Sequence, residues 1–256
     1  MSLFSRRKKN NDTVNKETAA AGRFSRSVFD IRHDIDRSSW WQVYSACLGK
    51  VAAMQDACSV HVVKDQDWYL DLKNGTISFG KDSYPIQFIG SESQLSNTWQ
   101  WGYKNVNGLD ERFLSLAYDM YEKGSEWGLE PLTIEQFPLD DVFNGHNIAT
   151  VACGISEKPY CYYRASGKDH SIFVAFSGVP EIISEPLGIS EFANTAADCL
   201  EKFNVDHNIF LESFLSWNGT SYDYDGKDLI AHFSSDLEFS FEKADEFWRV
   251  AGIRSL

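Results

Sequence analysis

The sequence predicts an α+β fold in which antiparallel meander sheets pack against amphipathic helices. Short segments with alternating apolar residues follow one another across turn dipeptides such as Asn74-Gly75, which is typical of antiparallel hairpins. Other segments carry apolar residues at i, i+3 and i+4, as amphipathic helices do. Because the strand segments come in runs and do not alternate strictly with helices, the pattern favours meanders over parallel βαβ units.

The first part of the chain predicts a helix, a four-stranded meander and a second helix. Residues 40–57 have apolar side chains at helical spacing, and Ser38 and Ser39 precede them as candidate N-caps. The four strands are expected at residues 68–72, 76–79, 85–90 and 98–103. A second helix is expected at about residues 110–126, and residues 129–141 are predicted to form a loop.

The second part predicts further hairpins and helices. Residues 160–165 and 171–176 form a predicted hairpin, and residues 147–153 fit either a helix or a strand. Two helices are expected, one from Ser190 and one capped by Asp206. The remaining elements are three strands and a closing helix, expected at residues 221–224, 229–233, 237–241 and 244–250. Because a helix followed by strands occurs in both halves, a duplicated helix-plus-hairpin unit stays open as an alternative.

Charge divides the chain into two parts. Residues 1–26 carry seven basic and two acidic side chains, a net charge of +5, and have no apolar period. We therefore predict a disordered basic tail. Residues 27–256 carry 17 basic and 35 acidic side chains, a net charge of −18. They are predicted to form a single α+β domain, with a subdivision near residues 155–160 as the alternative.

The acidic body decides which partners are expected. Its charge disfavours contact with nucleic acid and with anionic membranes, and it favours a basic protein partner. The basic residues Arg6, Arg7, Lys8 and Lys9 predict weak contact between the tail and an anionic surface. No oligomeric state follows from the sequence.

Cysteine usage indicates a reducing compartment. The five cysteines form no C-x-x-C pair and have mostly apolar neighbours; they are Cys47, Cys58, Cys153, Cys161 and Cys199. Free, buried thiols in the cytoplasm are therefore expected. The N-terminus has positive charges without the apolar segment of a secretory signal, and no apolar run approaches the roughly 20 residues of a membrane span.

No residue is predicted to be catalytic, and neither a metal nor a cofactor is expected. The sequence contains no glycine-rich phosphate loop and no G-x-S-x-G elbow. Two groups of potential metal ligands are better explained as caps and turns: His33, Asp34 and Asp36, and Asp223, Asp225 and Asp228. Cys161 and His170 lie on the two arms of the predicted hairpin. A turn at residues 166–169 would make them near neighbours, with Asp169 beside the histidine. Apolar surroundings, however, keep such a thiol inert.

Three aromatic residues mark the fourth predicted strand. In a strand over residues 98–103, Trp99, Trp101 and Tyr103 share one face, whereas Gln100 lies on the other. Packing of the aromatic face in the core is the main expectation. The alternative is a pocket in which Trp99, Trp101, Tyr103 and Asn105 bind a ligand.

The same stretch carries a family resemblance. Trp99-Gln-Trp101-Gly102-Tyr103-Lys-Asn105 resembles the W-x-W-G-[WY]-x-N signature of an uncharacterised bacterial domain family of unknown function. The resemblance includes the preceding Phe88-Ile-Gly90 strand and the following helix, and it covers about residues 38–130. This chain departs from the Trp-Gly-Trp-Ala form of the signature at Tyr103 and Lys104. The resemblance implies a bacterial origin and an uncharacterised domain, and it carries no activity.

Two functions are compatible with these observations. The first is a non-enzymatic, acidic, cytosolic binding protein, for example an immunity-type protein that neutralises a basic protein partner. The alternative is a small-ligand-binding protein or a hydrolase with an aromatic pocket near Trp99, Trp101 and Tyr103. Catalytic activity is less expected than binding.

Overall fold

The computed structural model describes residues 27–244 and 247–256. The predicted disordered tail of residues 1–26 lies outside the described residues. Within these ranges the chain forms five α-helices and two antiparallel sheets. The predicted α+β class is therefore confirmed. Of the helices in these ranges, none combines the length and the apolar character that crossing a membrane requires.

The first helix and the meander lie where the sequence predicts them. Helix α1 spans Trp40–Cys58 and continues into a π-helical turn at Ser59–Val63. The four meander strands are β1 Trp68–Asp71, β2 Thr76–Phe79, β3 Asp82–Ser93 and β4 Thr98–Trp101. They pair in chain order, each antiparallel to the next. The hydrophobic alternation therefore located this part of the sheet correctly.

The middle of the chain adds one unpredicted strand and two helices. A 3-10 turn at Glu111–Phe113 leads into α2, Ser115–Trp127. Strand β5, Gln136–Pro138, lies in the predicted loop of residues 129–141 and pairs with β4. Residues 147–153, for which the sequence fits either a helix or a strand, lie in helix α3, Gly145–Ile155.

A long-range pairing completes the larger sheet. The predicted hairpin is confirmed as β6, Cys161–Ser166, and β7, His170–Phe176. Strand β7 also pairs with β3, from Ile86 opposite Phe176 to Ser93 opposite His170. The result is a seven-stranded antiparallel sheet in which β3 has neighbours along both edges.

The last part of the chain forms two helices and the second sheet. Helix α4 spans Ile189–Lys202 and α5 spans His207–Asn218. Asp206 caps α5 as predicted, since its carboxylate accepts the backbone N–H groups of Asn208 and Ile209 at 3.0 and 3.1 Å. A four-stranded meander follows, formed by β8 Tyr222–Asp225, β9 Asp228–His232, β10 Asp236–Ala244 and β11 Phe247–Ser255.

The predicted closing helix at residues 244–250 is wrong. Ala244 ends β10, and the chain from residue 247 forms β11. The two strands pair from Leu237 opposite Ser255 to Ala244 opposite Phe247. This pairing satisfies backbone groups of both strands and places Val250 and Ile253 against the core. Tertiary packing therefore outweighs the local helical pattern.

Helix α1 lies at the centre of the core and packs against α3 and α5. A Cβ atom added at Gly49 would lie 2.5 Å from Cγ of Phe214, so a glycine is needed where α1 meets α5. One hydrophobic cluster includes Trp99 from the larger sheet, Phe210 from α5 and Phe239 from the smaller sheet. The division of residues 27–256 into one domain or two stays a prediction.

We expect His207 to make the fold sensitive to acid. The ring is buried, and its Nδ1 accepts the Val250 backbone N–H at 2.9 Å. Burial, followed by the charge of Arg249, lowers the His207 pKa to about 4. The neutral ring therefore stabilises the fold above the unfolded pKa of about 6.5, and this contribution is lost as the pH falls towards 4. Its loss between pH 6.5 and 4.5 should lower the free energy of unfolding by about 2 kcal/mol.

Urea unfolding at pH 6.5 and pH 4.5 measures this effect. His207→Asn is the matched variant, because its Oδ1 takes the place of Nδ1, can accept the Val250 N–H and does not titrate. The variant should lose clearly less stability than the natural chain over the same pH interval. Equal losses in both proteins would show that His207 does not carry the acid sensitivity.

Candidate functional site

The aromatic side chains of β4 form part of the core. Trp99 and Trp101 are 0% and 1% exposed, and their rings meet edge to face with centroids 5.7 Å apart. Trp99 also packs against Phe173 of β7, and the Trp101 indole N–H donates to the Pro131 carbonyl at 2.9 Å. The main expectation for this face, core packing, agrees with these positions. A ligand has no access to the two indole faces in this conformation.

Gly102 ends β4 and redirects the chain. A Cβ atom at this position would lie 2.7 Å from the Phe88 carbonyl oxygen and 2.9 Å from that of Ile89. The chain turns into a 3-10 helix at Gly102–Lys104, so the prediction of a strand through Tyr103 is wrong for its last two residues. Tyr103 nevertheless stays on the aromatic side, since its ring stacks on Trp101 and its hydroxyl donates to the Leu132 carbonyl at 3.2 Å.

Asn105 shapes the loop that follows. It has a left-handed backbone conformation with φ 44°, which asparagine tolerates better than most residues. Its side-chain amide donates to the Leu109 carbonyl at 2.9 Å, and its side-chain oxygen accepts the Leu109 N–H at 2.7 Å. The motif asparagine therefore closes the loop of residues 105–109.

The opposite face of β4 opens onto a cleft of about 380 Å³, called the Gln100 cleft here. Strands β3, β4, β5 and β7 supply its base, and the loop closed by Asn105 supplies one wall. Its uncharged polar lining consists of Ser91, Ser93, Ser96, Thr98, Gln100, Asn107 and Gln136. Its apolar lining consists of Leu72, Phe88, Val106, Leu109 and Ile172. Both the volume and this mixed lining are typical of small-molecule sites.

Several polar groups in the Gln100 cleft are free to bind a ligand. Within residues 27–244 and 247–256, the side chains of Ser91, Gln100 and Asn107 make no hydrogen bond. Next to them, the Thr98 hydroxyl contacts the Ser96 hydroxyl at 2.8 Å and accepts from the Gln136 amide at 3.2 Å. The cleft therefore combines fixed polar groups with three unused ones.

Glu92 also lines the cleft, but its carboxylate is engaged on the other side of β3. It accepts the Gly145 N–H at 2.7 Å, at the start of α3, and pairs with Arg164 at 3.3 Å. The positive end of the helix and the guanidinium both attract the negative charge of this carboxylate. The charge of Glu92 is therefore used to hold α3 against the sheet.

The side chain of His170 also lines the Gln100 cleft. It lies opposite Ser93 in the β3–β7 pairing, and both side chains line the Gln100 cleft. In the described part of the chain no hydrogen bond joins them, and Ser93 Oγ instead accepts the Ser96 N–H at 3.2 Å. A serine nucleophile requires a base at hydrogen-bond distance, so this pair is not assembled for catalysis here.

The predicted proximity of Cys161 and His170 is wrong. The two residues occupy opposite ends of the β6–β7 pair, because Cys161 lies opposite Phe176 and Ser171 lies opposite Ser166. Cys161 is fully buried, with Sγ 3.8 Å from the Met54 carbonyl oxygen. Its hydrogen bond with Cys58, together with burial, raises the pKa of this thiol, so it is unreactive.

The two candidate metal groups form structural contacts instead. His33 bonds to Glu212, Asp36 accepts from Ser38, and Asp223 pairs with Arg32 and His232. Asp225 and Asp228 flank the β8–β9 turn. Across residues 27–244 and 247–256, no three His, Cys, Asp or Glu side chains are grouped as a metal site would need.

Sequence reasoning missed much of the cleft lining. Gln136 was placed in a loop, and His170 reaches the cleft only through the pairing of β7 with β3. The available signal was the polar alternation of Thr98 and Gln100 along β4, which marks a face directed away from the core.

Comparison with known proteins gives one match. Neither the curated proteins nor the solved structures contain a significant match to this chain. The model of a family of unknown function (DUF6882) matches residues 41–179, which include the whole W-x-W-G-Y-x-N stretch and every strand that forms the Gln100 cleft. The expectation of an uncharacterised domain family is confirmed, and the match extends further than residue 130. The chain belongs to the DUF6882 family.

Proposed function

We propose that the protein acts by binding, and that the Gln100 cleft binds a small, uncharged, polar ligand. The observation that carries this proposal is the set of free side chains on Ser91, Gln100 and Asn107 around one cavity of about 380 Å³. Two of these groups project from paired strands, which hold a site more rigidly than loops do.

The lining favours a ligand with several hydroxyl or amide groups. The amides of Gln100 and Asn107 both donate and accept hydrogen bonds, and the Ser91 hydroxyl does the same. Phe88 and Ile172 add an apolar surface against which a sugar ring or a short side chain can pack. A short oligosaccharide and a short neutral peptide both have this chemistry.

Calorimetric titration of neutral disaccharides and N-acetylated dipeptide amides tests this proposal. Gln100→Leu keeps the size of the side chain and removes its hydrogen bonds, so it should weaken binding about tenfold. Asn194→Leu is the control, since Asn194 lies exposed on α4 and should bind like the natural chain. Equal affinity in both variants would reject the cleft as the site.

A basic protein partner is the second candidate function. The charge of −18 on residues 27–256 supports it, because such a field accelerates encounter with a basic protein and repels acidic ones. An immunity-type role, in which the body neutralises a basic toxin-like protein, fits this charge. A pull-down at low and moderate salt should recover a basic protein whose capture decreases with salt, and recovery of none would reject this role.

The basic tail supports a proposal of weak contact with anionic surfaces. Arg6, Arg7, Lys8 and Lys9 would each contribute on the order of 1 kcal/mol near such a surface. Liposome flotation of the full chain and of a variant with all four changed to glutamine measures this contribution. Equal flotation of the two proteins would remove the tail from consideration.

We further propose a cytoplasmic location. All five cysteines are free and buried, which fits a reducing compartment. Protein isolated from its own cells and denatured without reductant should therefore show five thiols in a thiol-reagent assay. A lower count caused by a disulfide bond would contradict this location.

A further inference from the structure

A second cavity, of about 160 Å³, collects positive charge on an acidic protein. It lies away from the Gln100 cleft, where residues 27–29 pass the ends of α2 and α3. Arg37, Lys50 and Lys123 line this basic pocket together with Trp127, and Glu157 is its acidic lining residue. Three cations around one small cavity stand out in a body whose net charge is −18.

Lys50 is the deepest of the three cations. Its side chain is buried, and Nζ donates to the carbonyl oxygens of Gly154 and Ser156 at 3.1 and 2.7 Å, at the end of α3. An ammonium has three N–H groups, so one remains unused. No carboxylate pairs with Lys50 in the described part of the chain, although burial disfavours an isolated charge and lowers its pKa.

Arg37 lies against two aromatic rings. Its guanidinium carbon lies 5.1 Å from the centre of the Phe29 ring and 5.3 Å from that of Trp127. Among the described residues it makes no hydrogen bond and no ion pair, so its N–H groups are free for a ligand. Lys123 also approaches the Trp127 ring, at 5.8 Å, and pairs with Glu126 at 2.8 Å.

Trp127 supplies an additional donor without an acceptor. Its indole Nε1 is buried and has no hydrogen-bond partner in the described ranges. A buried N–H group without a partner is unfavourable. The Trp127 side chain lines the same pocket as the three cations, so its indole N–H resonance should respond to an anion bound there.

We propose that the basic pocket binds a phosphate group through Arg37, Lys50 and Lys123. The oxygen atoms of a phosphate can accept hydrogen bonds from all three side chains. The planar guanidinium of Arg37 can bind two phosphate oxygens at once, which the point charge of a lysine cannot do. The phosphate can belong to a free phosphate compound or to a lipid headgroup.

Inorganic phosphate is the first probe. Titration into the full chain should shift the indole N–H resonance of Trp127 in a saturable manner. Arg37→Gln, an exposed position where folding should be unaffected, should weaken this binding about tenfold or more. Arg254→Gln removes an equal charge on β11, outside the pocket lining, and should bind phosphate as the natural chain does. Absence of a Trp127 shift, or equal weakening in both variants, would overturn the proposal.

Vesicles distinguish the two sources of phosphate. If the ligand is a headgroup, the full chain should bind vesicles of phosphatidylcholine with phosphatidic acid, and Arg37→Gln should reduce this binding. If it is a free compound, Arg37→Gln should lose inorganic phosphate and leave vesicle binding unchanged. Gln100→Leu should retain phosphate binding in both cases, so failure of the cleft proposal is distinguishable from failure of this one.

Discussion

Replacement of Trp99 by alanine should lower the free energy of unfolding by about 3–5 kcal/mol. The side chain is 0% exposed. It contacts Trp101 in the same strand and Phe173 in β7. Its removal leaves a cavity that a sheet paired on both sides cannot close. Denaturant unfolding measures the loss, and a value below 1 kcal/mol would show that the motif tryptophan is not a core residue.

Trp99→Phe separates packing from the indole N–H. The Trp99 Nε1 is buried without a hydrogen-bond partner in the described residues, so its removal relieves an unfavourable group. A phenyl ring also refills most of the volume. We therefore expect this variant to lose less than half as much stability as Trp99→Ala. Equal losses would mean that the indole N–H has a partner in solution.

Replacement of Glu212 by alanine should lower the free energy of unfolding by about 2–4 kcal/mol, because several hydrogen bonds to one carboxylate are lost together. This carboxylate is fully buried on α5 and accepts the backbone N–H groups of Arg32 and His33, both at 2.9 Å. The His33 ring and the Tyr224 hydroxyl also contact it, at 2.9 and 2.8 Å. Alanine would leave these partly buried donors without their acceptor.

The same substitution should release the segment before α1. Trypsin cleavage after Arg32 and Arg37 should become faster in Glu212→Ala, since Glu212 holds the backbone of this segment. Tyr224→Phe removes a single hydrogen bond to Glu212 and should lower the free energy of unfolding by only about 1–2 kcal/mol. Unchanged cleavage in Glu212→Ala would show that other contacts hold the segment.

Local sequence signals predicted the elements whose causes are local. The apolar spacing of residues 40–57 and the cap at Asp206 describe single helices, and the alternation at residues 76–79 describes one strand of a hairpin. The helix predicted at residues 244–250 was wrong because this segment pairs with β10, and a local helical pattern does not reveal that pairing. The 3-10 turn after Trp101 was missed for a similar reason. Gly102 is needed there because the backbone of β3 leaves no room for a Cβ atom, and this contact is not local in sequence.

The sequence predicted the two faces of β4 at the candidate site, but it did not predict the cleft. The alternation of Trp99, Gln100 and Trp101 separates a core face from an outer face, and the structure agrees. The cleft itself requires β7 beside β3, a pairing between residues more than 70 positions apart for which no local pattern exists. Ligand binding by Asn105 was the alternative prediction, and in the structure its side chain bonds to the Leu109 backbone and closes the loop that forms one wall of the cleft.

The side-chain amide resonances of Gln100, Asn107 and Gln136 test the binding proposal most directly. They should be recorded with the tightest of the neutral disaccharide and dipeptide amide probes. If the Gln100 cleft is the binding site, these three NH₂ pairs should shift in a saturable manner, while that of Asn194 on α4 stays unchanged. Saturable binding with no shift at the three cleft amides would contradict the proposal.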